Sequence, residues 1–265
     1  MLDISELQLN FGRQQVLDNI DCSLEAGQLV AIIGENGAGK STLLRSLAGD
    51  YDYRGRIDLH GRELRQWQPD KLARIRAVME QQQTLSFALT VAELVAIGRH
   101  PYAETEAQQL AAIEPWLARF HLDKLAHREV TSLSGGERQR AQLARCMTQL
   151  DGKLEGEKLL LLDEPTSALD LYHQHQCLRA VKQFCQHGNL ALVVLHDLNL
   201  ASLYADQVLV IHQGRLFAHG SAQTVFNRRC LQSVYSTPMY ISQHPFLGVP
   251  MVFSEPEHLH RQRFN

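Results

Sequence analysis

The sequence has no excess of basic charge: 26 lysines and arginines stand against 29 acidic residues in 265, for a net charge of −3. The basic residues are scattered rather than collected in a block, so the electrostatic footprint of a nucleic-acid binder is missing and no nucleic-acid partner is expected. Long apolar runs are also missing. Runs such as residues 159–162 and 190–195 fall far short of the ~20 residues needed to cross a bilayer, so any membrane association is expected to come through a partner. The opening Met1-Leu2-Asp3-Ile4-Ser5-Glu6 has neither a basic segment nor an apolar run, which excludes a secretory signal and makes the cytosol the expected compartment. The five cysteines, Cys22, Cys146, Cys177, Cys185 and Cys230, are odd in number and show no CxxC spacing, which argues against a disulfide framework or zinc site. Cys177 and Cys185 lie two helical turns apart, too far along one helix to bridge. Internal repeats and low-complexity tracts are absent.

What is present is a chain with 45% hydrophobic residues, enough for a substantial core in one large domain or two small ones. Alternation in Leu7-Gln8-Leu9-Asn10-Phe11 and in Ile20-Asp21-Cys22-Ser23-Leu24 predicts half-buried antiparallel strands. Leu29-Val30-Ala31-Ile32-Ile33 is a continuous apolar run ending in glycine, as expected for a strand buried on both faces of a parallel sheet. A helix is predicted from Lys40 to about Ala48. From about Thr84 to Leu150 the pattern turns helical, at residues 91–97, 104–120 and 137–150. Strand signals return at residues 158–162, 190–195 and 207–211, separated by helix patterns at residues 171–186 and 198–204, a βαβ succession. The tail from about Ser236 carries Pro238, Pro245, Pro250 and Pro256 and is expected to be irregular, with a short strand near Val252.

The chemistry concentrates in two segments. Gly34-Glu35-Asn36-Gly37-Ala38-Gly39-Lys40-Ser41 fits G-x-x-x-x-G-K-[ST] between the apolar strand and a helix, where a phosphate cradle has to sit. Gly37 and Gly39 leave room for backbone N–H groups to approach triphosphate oxygens, and the helix N-terminus adds a favourable dipole. Lys40 is expected on the β- and γ-phosphates, Ser41 on Mg²⁺, and Thr42 follows in the same turn. The alternative is a glycine-rich turn with no ligand. Leu159-Leu160-Leu161-Leu162-Asp163-Glu164 is a buried strand that releases two carboxylates at its end. Asp163 is suited to the Mg²⁺ shell and Glu164 to polarising a water for in-line attack on the γ-phosphate; alternatively the acids merely cap the next helix. The two segments together define a P-loop NTPase and no more. A third, Leu133-Ser134-Gly135-Gly136-Glu137-Arg138-Gln139, is another hydroxyl-and-glycine loop opening a helix, hence a second anion-binding surface. One triphosphate does not need two cradles, but two copies of the chain facing head to tail would each close this loop over the other's nucleotide.

The LSGGERQ string and the order of these elements resemble the ATP-binding subunits of ABC transporters over nearly the whole chain. The resemblance implies an α/β fold of the ABC ATPase type: a P-loop NTPase (RecA-like) core with an N-terminal antiparallel β subdomain and an inserted α-helical subdomain. The implied division is residues 1–83 and 156–235 for the core with its β subdomain, 84–155 for the helical signature subdomain, and 236–265 for a tail packing on the core. Phe11 stands where the family has an aromatic that stacks on adenine, with a core strand phenylalanine as the alternative. Gln81, after Ala77-Val78-Met79-Glu80, stands at the family's glutamine that ligates Mg²⁺ or the attacking water, with Gln82 and Gln83 as competing registers. Ser167-Ala168-Leu169-Asp170 resembles the loop that crosses the dimer interface, and Asp170 is equally suited to capping a helix. His196, at a strand end before Asp197, resembles the switch histidine that contacts the γ-phosphate. His173 and His175 are expected to face solvent.

The implied cofactors are ATP and Mg²⁺. The implied partners are a second copy of the chain, two copies of a separate transmembrane permease and, indirectly, a periplasmic hemin-binding protein, with the chain on the cytoplasmic face of a bacterial inner membrane. Among importers the chain is most similar to the subunits for iron chelates, haem and vitamin B12. The extended connection at residues 151–157, the stretch Leu169-Asp170-Leu171-Tyr172-His173-Gln174, the stretch Leu195-His196-Asp197-Leu198-Asn199-Leu200-Ala201 and the tail's His244-Pro245 and Gly248-Val249-Pro250 resemble the hemin-import subunits. Ferric siderophore or cobalamin is the alternative substrate, and a soluble ABC ATPase of translation or DNA repair the alternative class.

Overall fold

The computed structural model describes residues 1–81, 88–152 and 156–254. Gln82, Gln83, residues 84–87 of the expected helical start, residues 153–155 of the extended connection and Pro256 lie outside the described residues. In chain order the elements are β1 (Leu2–Phe11), β2 (Gln14–Leu24), β3 (Leu29–Ile33), α1 (Lys40–Ala48), β4 (Arg54–Leu59), β5 (Arg62–Glu63), α2 (Pro69–Ile75), β6 (Arg76–Met79), α3 (Val91–Ala96), α4 (Glu106–Arg119) and α5 (Gly135–Leu150). They continue with β7 (Leu159–Asp163), α6 (Leu171–Gln186), β8 (Leu190–Val194), α7 (Leu198–Tyr204), β9 (Gln207–His212), β10 (Arg215–Gly220), α8 (Ala222–Val225), α9 (Arg228–Tyr235), β11 (Met239–Gln243) and β12 (Pro250–Ser254).

The main sheet runs β10-β9-β3-β8-β7-β6, with every neighbouring pair from β9 to β6 parallel and β10 antiparallel at the edge. Its central strands are apolar throughout because both faces are covered. Leu29, Ala31 and Ile33 of β3, Leu160 and Leu162 of β7, and Ala191 and Val193 of β8 point into one core, shared with α3 to α7. The intervening Val30, Ile32, Leu159, Leu161, Leu190 and Leu192 point into the other, shared with α1 and the antiparallel sheet β2-β1-β4-β5. Each such leucine contributes roughly 2 kcal/mol of burial, and a polar residue anywhere along the run would leave an unpartnered group inside one core or the other. All five cysteines are free and buried in this packing.

β1 and β2 are longer than alternation predicts. Glu6 (φ 48°) and Asn19 (φ 51°) sit in left-handed bulges where the β1/β2 register shifts, so the period-2 pattern is broken while the pairing continues. In the tail the short strand expected near Val252 is present as β12, but the expected irregularity is a correction, because β11 pairs with β12 in an antiparallel hairpin in register from Met239↔Ser254 to Gln243↔Pro250. The hairpin is fastened to α7, where Asn199 Nδ2 donates to the Val252 carbonyl (3.1 Å), Asn199 Oδ1 accepts from the Val252 amide (2.8 Å), and Ser202 Oγ donates to the Pro250 carbonyl (2.5 Å). Pro250 is tolerated as the first residue of its strand. Among the described residues, no helix is long and apolar enough to cross a membrane.

Asn199→Ala removes both partners of the half-buried Val252 peptide groups. It is expected to lower the unfolding free energy by about 1–2 kcal/mol, read by denaturant titration, and to expose the hairpin amides to hydrogen exchange before the sheet.

Candidate nucleotide site

In a sheet whose parallel strands are buried on both faces, polar side chains can emerge only past the strand ends, and the carboxyl ends of β3, β8, β7 and β6 open at one edge. β3 delivers the loop from Gly34, β7 delivers Asp163 and Glu164, the residue after β8 and Leu195 is His196, and β6 leads to Gln81. A cleft of about 640 Å³ at this edge is lined by Phe11, Gln14, Val16, Asn36, Gly37, Gly39, Lys40, Ser41, Thr42, Gln81, Glu164 and His196. Gly34, Glu35, Ala38 and Asp163 are not part of this lining.

The loop is built on backbone that side chains reject. Gly34 (φ 148°) passes so close to β9 that a Cβ there would stand 2.0 Å from the Ile211 carbonyl oxygen, and Gly39 (φ 106°) is the residue from which α1 starts. Unlike α3, α4 and α5, which all begin with capping boxes, α1 has no side-chain cap at its N-terminus. Its first amides are therefore left for a ligand, and the helix dipole favours an anion there. Lys40 is 5% exposed and its Nζ donates to the carbonyls of Gly34 (2.9 Å) and Glu35 (2.8 Å). Burial pushes its ammonium below the usual lysine range, opposed by Glu164, Asp163 and Glu35 nearby. Among the described residues no carboxylate reaches ion-pair distance of Lys40, so a buried cation faces an open cleft.

Asp163 is 1% exposed and accepts a hydrogen bond from Ser41 Oγ at 3.1 Å. Burial raises its carboxyl above the usual aspartate range, with the Ser41 hydrogen bond acting the other way. A serine hydroxyl and a carboxylate brought together beside a phosphate cradle form the hard oxygen donor set that Mg²⁺ takes, usually from one or two protein groups plus substrate phosphate. Glu164 has a left-handed backbone (φ 52°), uncommon for a residue with a side chain, which turns its carboxylate into the cleft. Both carboxylate oxygens are held: His196 Nε2 lies 2.5 Å from Oε1, and Gln81 Nε2 donates to Oε2 at 2.7 Å. Neither acid caps the following helix, since Asp170 Oδ1 accepts from the His173 amide at the start of α6.

Phe11 is 48% exposed at the cleft mouth, edge-on to Tyr51 at 5.2 Å between ring centroids, so it is not a core phenylalanine. Gln14 and Val16 are missed from the sequence: Gln14 is signalled only by its pairing with Phe11 across the β1/β2 hairpin, and nothing in the sequence points to Val16. Ser134, Gly135, Gly136, Glu137 and Asp170 do not line this cleft. Ser134 instead caps α5: its Oγ accepts from the Glu137 amide (3.3 Å), and Glu137 Oε2 accepts from the Ser134 amide (2.8 Å) and hydroxyl (2.8 Å). Those bonds hold the Glu137 carboxyl below the usual glutamate range. His173 and His175 do not simply face solvent. Both are half-buried, His173 Nδ1 at 2.9 Å from Asp170 Oδ1 and His175 Nδ1 at 2.7 Å from the Tyr204 hydroxyl. Among the described residues, no group of three or more histidines, cysteines or acids forms a metal cluster.

Residues 17–167 match the profile of the ABC transporter family. This chain belongs to that family. The hemin import ATP-binding protein HmuV of Idiomarina loihiensis is 55% identical over 258 residues, covering 97% of this chain and 100% of that protein. The protein of the same name from Pseudomonas entomophila is 42% identical, covering 96% and 100%. A metal-chelate type ABC transporter solved in an inward-facing conformation superposes with a TM-score of 0.78 at 27% identity, covering 97% of this chain and 98% of the other. As in other ABC ATPases, an α/β core carries an antiparallel sheet and a helical insertion, which for this chain are β1, β2, β4 and β5 and the segment holding α3 to α5.

Gly34→Ala places a methyl group where the Ile211 carbonyl stands. The loop is expected to shift at a cost of about 2 kcal/mol or more, and MgATP to raise the melting temperature much less than in the unaltered protein. An unchanged thermal shift would show that the close approach is not needed.

Proposed function

We propose that this chain is the ATP-hydrolysing subunit that energises an ABC importer for hemin. The observation that carries the ATPase reading is the convergence of Lys40, the Ser41–Asp163 pair, Glu164, His196 and Gln81 at the ends of four neighbouring parallel strands. In this reading Gly34 to Thr42 bind the triphosphate through backbone amides, and Lys40 exchanges its carbonyl partners for phosphate oxygens, ending its unpaired burial. Phe11 offers its exposed ring to the adenine. Ser41 and Asp163, with Gln81, would hold Mg²⁺, which neutralises charge on the phosphates. Glu164 accepts a proton from the attacking water, its carboxylate aimed by His196 and Gln81.

The cleft holds one triphosphate, and the loop at Ser134 to Glu137 opens elsewhere on the same chain. Two chains arranged head to tail would bring each such loop, with Asp170, over the partner's nucleotide. A second groove, of about 510 Å³, lies between the end of α1, α2 and α5, bordered by Tyr51, Trp67, Leu72, Arg76, Arg145 and Gln149. Its wall includes β6, the strand that leads to Gln81, and Arg145 donates to the Val78 carbonyl of that strand at 2.7 Å. A permease segment seated in this groove would feel any movement of Gln81. Two copies of a separate permease would thereby hold the dimer at the cytoplasmic face of the inner membrane, downstream of a periplasmic hemin-binding protein.

Hemin as the substrate is supported by the names of the most similar relatives and by the metal-chelate transporter with the same fold. Vesicles carrying the chain with its cognate permease should take up labelled hemin in preference to ferric siderophore or cobalamin; the reverse preference would reassign the substrate. Co-purification with ribosomes or nucleic acid instead of a polytopic membrane protein would point to a soluble ABC ATPase.

Glu164→Gln should retain ATP binding, abolish turnover and accumulate an ATP-bound dimer on size exclusion. Lys40→Ala should weaken ATP by more than about tenfold in a direct binding titration. Undiminished turnover in the first variant, or unaltered affinity in the second, would overturn the assigned roles.

A further inference from the structure

Gln139 lies in the second turn of α5, half-buried and outside the nucleotide cleft. Its side-chain amide is fully engaged with the segment that follows β7. Nε2 donates to the Glu164 carbonyl (2.9 Å) and to Ser167 Oγ (2.8 Å), and Oε1 accepts from the Ala168 amide (3.0 Å). The Glu164 carbonyl also accepts from Ser167 Oγ (3.1 Å) and the Ser167 amide (3.3 Å), so one peptide group is gripped by three donors. That peptide belongs to a residue with φ 52°, a conformation that persists only where its surroundings over-determine it. The two segments also touch through backbone: a Cβ on Gly136 would stand 2.9 Å from the Ala168 carbonyl oxygen, and one on Gly135 3.3 Å from Ala168 Cβ.

We propose that Gln139 is a positioning residue that locks the left-handed backbone of Glu164 to the helix opened by Ser134-Gly135-Gly136. The proposal rests on the ATPase reading above, in which Glu164 accepts the proton from water and the Ser134 loop meets the partner's nucleotide. Of Glu164, Gln139 bonds only the carbonyl and not the carboxylate, and it does not line the nucleotide cleft. It acts by making the aim of one chain's Glu164 depend on where that chain's own α5 terminus sits, so docking of the loop on the opposite nucleotide reports to the hydrolytic carboxylate at home. Ser134 and Glu164 are thus the two ends of one rigid connection inside a single chain.

The isosteric Gln139→Glu keeps the acceptor for the Ala168 amide and removes the donor to the Glu164 carbonyl. Gln139→Met keeps side-chain length and removes every hydrogen bond. For the full-length protein with its permease, both variants are expected to lower kcat by about 10- to 100-fold, the scale of an ångström of misplacement, with KM for ATP within about twofold. The Glu164→Gln,Gln139→Glu double variant should still accumulate the ATP-bound dimer to the extent of Glu164→Gln alone, because the Ser134 loop is intact. Wild-type kcat in Gln139→Glu and Gln139→Met, beside an inactive Glu164→Gln, would overturn the role of Gln139 and leave that of Glu164 standing. A joint collapse of kcat, ATP binding and melting temperature would also overturn it, as a purely structural glutamine. Turnover persisting in Glu164→Gln itself would instead remove the reading on which the proposal rests.

Discussion

Gly34 leaves β3 so close to β9 that no side chain fits between its Cα and the Ile211 carbonyl, and the rest of the site depends on that approach. Because the chain turns over the sheet edge at that point, Lys40 Nζ can reach back to the carbonyls of Gly34 and Glu35, and α1 begins with its amides facing the space beyond β7 and β8. A wider loop would carry α1 away from Asp163, which Ser41 reaches only because helix and strand are packed together. The buried lysine, the uncapped helix and the raised Asp163 carboxyl are each unfavourable alone. Together they describe a cavity arranged for a polyanion and a hard cation, where the ligand supplies the missing partners.

Much of this was legible because both signals are local. The runs at β3, β7 and β8 are apolar at every position, since their alternate residues face two different cores, and α6 and α7 were bounded correctly at Leu171–Gln186 and Leu198–Tyr204 by their apolar periodicity. The phosphate loop is contiguous, so its spacing carries its geometry. β6, four residues directly after α2, is too short for periodicity to reveal, and β1 and β2 are legible only at residues 7–11 and 20–24 because left-handed residues at Glu6 and Asn19 break their alternation. The tail misled for a physical reason. Four prolines read as punctuation, yet Pro250 opens β12 and hands its carbonyl to Ser202, so it serves the hairpin rather than interrupting it.

The site was legible as separate fragments and not as an arrangement. Gln81, Glu164 and His196 are far apart in sequence, and no spacing rule says that the outer two hold opposite oxygens of the middle one. His175 likewise gives no hint in sequence of its bond to Tyr204 on α7. Gln139 is the sharpest case. It is visible as the last letter of a recognisable string, but its significance lies in a partner whose φ angle the sequence does not announce.

The two helix termini of the proposed ATP sandwich differ in a way that sets the order of events. α1 offers bare amides and a cation, whereas α5 opens with Ser134 already engaged by the anionic Glu137 of its own capping box. A triphosphate approaching α5 alone would have to share the dipole with that carboxylate and displace hydroxyl bonds already made, so α5 is the weaker anion site of the two. Nucleotide should therefore bind first to Gly34 to Thr42, and α5 of a second chain should close on it only when the γ-phosphate adds enough contacts to outcompete the cap. Closure is then conditional on the very group that hydrolysis removes. In the proposed sandwich, loss of that phosphate would return Ser134 to Glu137 and reopen the dimer without any further switch.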